Sequence, residues 1–187
     1  YQTANSHLQF QLGEVATAYR LSSYDSINNV LLAQSEVADK QRDLDTNTFN
    51  YNEYSLMNYQ ADLELTEMMR DYRISLEEKK KLSDILNKLN LQYRYISNKF
   101  YSYQEGGSLD KIDRLILTLT EFTNLVEDTV GDFVVTSPDN VKADFTDFFN
   151  EVKCLMDILS DLLIKEIEAS KERASASTKS ALDAETL

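Results

Sequence analysis

The chain has 187 residues, 42% of them hydrophobic, a net charge of −13, four glycines, one proline, one cysteine, one histidine and no tryptophan. That apolar content suffices for a core and excludes global disorder, while the scarcity of Gly and Pro argues for long helices joined by few turns. The acidic balance excludes general nucleic-acid binding, which needs a basic surface, and disfavours docking on anionic lipid.

A first helix is predicted over residues 5–45, with a seam that includes Leu8, Leu12, Val15, Tyr19, Ser23, Ile27 and Val30. Two successive steps of four, from Tyr19 to Ser23 to Ile27, mark a slip in its seven-residue pattern. Residues 45–52, rich in Asn, Asp and Thr, read as the first turn. A second helix follows over 53–103. Its seven-residue repeat runs Tyr54, Ala61, Met68, Ser75, Leu82, Leu89, Ile96, Tyr103, with the companion set Asn58, Leu65, Tyr72, Lys79, Leu86, Tyr93, Phe100, a spacing that keeps one seam facing a partner helix. No Gly or Pro interrupts it, and as one helix it would be roughly 75 Å long. Ser75 and Glu78 match a capping-box pattern. Two forms are therefore open: a continuous rod, favoured by the kept register, or a two-tiered bundle with a break near Ser75.

Gly106, Gly107 and Ser108 end that helix and cap the next. The third helix is predicted over 109–131, on the seam Leu109, Ile112, Ile116, Leu119, Thr123, Val126. Residues 133–140, around Pro138, form a turn. The fourth helix is predicted over 141–184, with Phe145, Phe148, Val152, Leu155, Leu159 and Leu162 as its seam. Past Ile167 apolar content thins, so the stretch from residue 170 onward is expected to be a stalk-like overhang with little to bury. The expected fold class is all-α: an antiparallel up-down bundle of about four long helices, without β-sheet, as a single domain over 1–187.

Chemistry-bearing residues are few. His7 has no second His or Cys near it for a zinc site and nothing to place it as the base of a Ser/His/Asp assembly. Glu64, Glu67 and Asp71 lie on neighbouring turns without the histidine that a di-iron bundle requires. No Gly-rich phosphate loop is present. No catalytic residue, metal or cofactor is expected. Cys154, alone in the chain, cannot form an intrachain disulfide and is expected to be a small buried core residue.

The polar midsection stands apart. If the first two helices form a hairpin about residue 48, Ser23 comes level with Arg73 and Ser75, and Tyr19 with Glu78 and Lys79. Arg20 and Arg70 crowd the same height. Two readings are open. The layer sets register, as polar residues at core positions do, or Arg20, Ser23, Arg70, Arg73, Ser75 and Lys79 line a small cavity in which arginine forks clamp an anion. Charge is also uneven along the chain: residues 70–99 hold eight Lys or Arg against four Asp or Glu, and residues 105–151 hold eleven acidic against three basic. The short third helix is expected to leave Val30, Val37, Leu44, Tyr54, Met57 and Leu65 uncovered, and hence to drive self-association through 27–72.

With its long seamed helices, a start at Tyr1 rather than Met and a fading tail over 170–187, the chain resembles the extracytoplasmic sensor segments of bacterial chemoreceptors (methyl-accepting chemotaxis proteins) and sensor kinases. The resemblance implies a periplasmic, homodimeric, non-enzymatic domain that meets the inner membrane only through flanking segments. It would bind a small molecule and signal by helix displacement, with Arg20 nearest in place to the anion-binding arginine of such receptors. The competing expectation is a structural or scaffolding coiled-coil protein without a small ligand, cytoplasmic or secreted. An enclosed polar pocket in the midsection separates the two.

Overall fold

The computed structural model describes residues 2–103 and 109–185, with the side chains of 2–11, 15–16, 18–19, 21–23 and 184–185 outside the description. The protein is all-α. Four helices, α1 (Gln2–Met68), α2 (Leu76–Ser102), α3 (Asp110–Asp128) and α4 (Pro138–Glu185), are accompanied by two two-residue strands, β1 (Arg73–Ile74) and β2 (Phe133–Val134). It packs as two compact units, Thr46–Asp161 and the remainder, with both boundaries falling inside α1 and α4.

The larger unit is a four-helix bundle made from α1 beyond residue 45, α2, α3 and the first half of α4. Leu65 and Met68 of α1, Leu82, Leu89 and Ile96 of α2, Ile112, Leu119 and Val126 of α3, and Phe145, Phe148 and Leu159 of α4 are buried together. On each helix these positions recur at steps of three, seven or eleven, which places them on one face. The smaller unit pairs the earlier part of α1 with the end of α4. Ala33, Leu163, Ile167 and Ser170 are buried in it. Lys40 meets Glu166 at 2.8 Å and Arg173 meets Glu36 at 3.0 Å. The stretch from 170 onward, expected to be an overhang, stays helical to Glu185.

Four expectations are corrected. Residues 45–52 form no turn, because α1 runs through them. Asn and Asp favour turns when their side chains bond nearby backbone, but here they have other partners. Asn47 donates to the Met156 carbonyl at 3.1 Å and to Ser160 at 2.8 Å, and Asp45 accepts from Gln41 one turn back. The second helix is not the favoured continuous rod but takes the other form left open, with a break just before Ser75. α1 ends at Met68, Tyr72 takes a left-handed φ of 61°, and a complete capping box at Ser75 starts α2. The absence of strand is overturned by an antiparallel pairing of Arg73 with Val134 and Ile74 with Phe133. Cys154 is exposed, since it lies two positions past Val152 and so about 200° around α4 from that buried face.

Candidate functional site

Without a turn at residue 48 there is no hairpin to bring the expected polar layer together. Arg20 is exposed on α1 in the smaller unit, and the Ser23 side chain lies outside the described residues. Arg70, Arg73, Ser75 and Lys79 all belong to the larger unit, at the end where α1 stops and α2 begins. Their roles there are individual. Arg70 is exposed and paired with Glu67, three residues back, at 2.8 Å. Arg73 sits in β1 with its side chain exposed, and its backbone N–H donates to Asp71 at 3.2 Å. The Ser75 hydroxyl accepts from the Glu78 N–H, while the Glu78 carboxylate accepts from the Ser75 N–H at 3.1 Å. Two of the orphan donors at the start of α2 are thereby satisfied.

Lys79 is buried, and its ammonium donates to the Thr129 carbonyl at 2.6 Å. Thr129 is the C-cap of α3. A cation at a helix C-terminus meets both the unsatisfied carbonyls and the negative end of the helix dipole. Ser75 and Lys79, the polar interruptions at the middle of the seven-residue seam, are thus a helix start and a helix stop.

The true polar layers of the bundle lie elsewhere. Asn58 and Gln92 are buried and exchange two hydrogen bonds, at 3.0 and 2.8 Å. Asn47 is fully buried, and its carbonyl oxygen accepts from the Tyr95 hydroxyl at 3.1 Å while its amide donates to α4. Every polar atom of the Asn58–Gln92 pair is engaged, so neither layer is an empty receptor for an anion. Asn58 stood on the expected seam; Gln92 and Asn47 did not. An Asn or Gln a few turns apart on two helices carries no local signal of its pairing.

One concavity lies at the strand-linked end. The loops before α2 and before α4 are joined by the β1–β2 pairing and by the Val135 N–H, which donates to the Tyr72 carbonyl at 2.8 Å. Ile74 and Val135 are buried beneath this junction. Beside it lies a cleft of about 240 Å³ between α3, β2 and the first turns of α4. Its apolar wall includes Phe122, Leu125, Phe133 and Val141, and its polar groups include Asn140 and Asp144. Phe122 and Phe133 pack edge to face, with ring centroids 5.9 Å apart. Burial, and secondarily the nearby Asp147, hold the Asp144 carboxyl above its usual range. Each penalises the charged form.

A second cleft, of about 250 Å³, lies between the end of α1 and the start of α2. Glu64, Glu67, Glu78 and Lys81 line it, but Glu78 is committed to the capping box and Glu67 to Arg70. Among the described residues there is no cluster of His, Cys, Asp and Glu that would hold a metal ion. None of the described helices is long and apolar enough to cross a membrane. The chain matches no protein-family model, no curated protein and no solved structure.

Proposed function

We propose that the chain is the signal-sensing, ligand-binding part of a transmembrane receptor of the chemotaxis or two-component type, holding a small molecule in the cleft between α3, β2 and α4. The observation that carries this reading is the position of that cleft. It combines an apolar wall with a few convergent polar groups, the usual make-up of small-molecule sites, and it borders the first turns of α4. A ligand there touches a helix that continues unbroken from Pro138 to Glu185, so its binding energy is available to bias the helix position. The reading is non-enzymatic, extracytoplasmic and homodimeric, and it places the membrane contact in segments flanking this one. An anion held by the residues first expected to bind it would rest on Arg70 and Arg73 alone, since Ser75 and Lys79 are spent on capping.

A thermal-shift screen of small metabolites against the whole chain tests the reading. A true ligand at about a hundred times its dissociation constant stabilises the fold by roughly 2.7 kcal/mol. Phe133→Ala should remove the shift for a cleft ligand, and Arg73→Ala for an anion at the neighbouring loop. A screen without any stabilising compound would favour the scaffolding reading. That alternative draws its own support from the satisfied amide layers and from an apolar stripe on the outer face of α1, where Phe49, Leu56, Tyr59 and Leu63 are each more than half exposed.

A further inference from the structure

Asp144 is the side chain of the cleft least suited to its surroundings. Around it the cleft is lined by Phe122, Phe133, Leu125 and valines, with Thr136, Ser137 and Asn140 as its neutral polar groups, and Asp144 is the one charged group among them. The carboxylate receives no hydrogen bond and no Lys or Arg partner among the described residues, and another carboxylate, Asp147, acts on it. An anion that is half-buried, unpaired and repelled by a like charge is stabilised most by a cation. A neutral donor would satisfy its lone pairs but leave the repulsion in place. An anionic ligand would add to it.

The wider field points the same way. Residues 105–151, which contribute α3, β2 and the beginning of α4, carry eleven acidic against three basic side chains. Such a surface concentrates cations and raises their rate of encounter. The wall chemistry restricts what kind of cation profits. A bare metal ion gains nothing from Phe122, Leu125, Phe133 and Val141, and one carboxylate with one amide is too few ligands for it. An organic body does gain, by removing those side chains from water, and the aromatic faces attract an ammonium in their own right. The cleft falls below the roughly 300–1,000 Å³ of drug-sized sites, which limits the body to about one ring or a short chain.

We infer that the cleft binds a small organic cation, a primary ammonium on an apolar body, with the ammonium at Asp144 and Asn140 and the body against Phe122 and Phe133. This names the ligand class for the sensing function proposed above and rests on that reading. The probes are 2-phenylethylamine, its anionic counterpart 3-phenylpropanoate and its neutral counterpart 2-phenylethanol, titrated into the whole chain by calorimetry at low salt. The amine should bind, with the two counterparts weaker by about tenfold or more, as expected for loss of a charge-assisted hydrogen bond. Asp144→Asn should bring the amine to the level of the alcohol. Its melting temperature should stay level or rise, because a desolvated, repelled charge is removed. Intermolecular nuclear Overhauser contacts from the amine ring to the Val141 methyls fix the location independently of any variant. Equal binding of all three probes, no binding of the amine, or an unaltered amine affinity in Asp144→Asn would each overturn the inference. The sensing function would survive those results if the metabolite screen still gave a Phe133-dependent ligand, and would fall with them if it gave none.

Discussion

Lys79 shows how a single side chain changes meaning between sequence and structure. On a continuous second helix it is a charge on an apolar seam, and replacing it with an apolar residue should stabilise the protein. In the folded chain its ammonium closes α3 at the Thr129 carbonyl. Lys79→Met keeps the stem and deletes the donor, leaving a partly buried carbonyl without its partner. We expect a loss of about 1–3 kcal/mol, measured by urea denaturation; a more stable variant would restore the register-layer reading. Tyr93 offers a second test at this scale. Its hydroxyl donates to the Asp113 carboxylate at 2.5 Å, and that bond first, with burial second, raises the phenol above its ordinary range. The protonated phenol is the form favoured by folding. Its contribution is therefore fully present below the unfolded value near 10 and is lost as pH rises through the folded one. Ultraviolet titration should show Tyr93 ionising late, as burial also makes Tyr54 do, and Asp113→Asn should bring Tyr93 alone back toward the others.

At the scale of elements, α3 and α4 were legible to within a few residues. Each has one strong apolar face and is bounded by glycine or proline: Gly131 takes a φ of 77° past the end of α3, and Pro138 opens α4. α1 was not legible, for a physical reason. In the larger unit it carries two apolar seams. One, with Ala61, Leu65 and Met68, faces the core. The other, Phe49, Leu56, Tyr59 and Leu63, follows steps of seven, three and four and lies roughly opposite, at about 100° per residue. Two opposed seams cancel as an amphipathic signal, and the Asn- and Thr-rich run then looks like a break. The surface expected to mediate self-association is displaced for the same reason. Leu65 is fully buried, and Tyr54 and Met57 are half-buried. The outer seam is the surface a second copy would use, helix against helix, with its large side chains interlocking at heptad spacing. Introducing Phe49→Glu with Tyr59→Glu should weaken self-association by tenfold or more in sedimentation, on the order expected for two central aromatic anchors. Helicity should be unchanged, because both side chains point away from the core. A dimer unaffected by the double variant would place the contact elsewhere.

At the scale of the whole molecule, the sequence disclosed the class of the fold but not its sites, because the sites are made by pairings between distant residues. Tyr72 and Val135 meet across 63 positions, Asn47 and Ser160 across 113. Neither partner announces the other locally. The bonds of Asn47 also govern how the bundle can move. This one side chain is tied to α2 through Tyr95 and to α4 through Met156 and Ser160, and Asn58 with Gln92 ties α1 to α2 a few turns away. Hydrogen bonds of this kind do not stretch by degrees: slide α4 by part of a turn and its two bonds to Asn47 are lost together, with buried polar atoms left bare until the next register is reached. A sliding helix would therefore meet a detent, with the present register as its notch. Any pull along α4 would then be met with a click rather than a glide, with Asn47 as the catch.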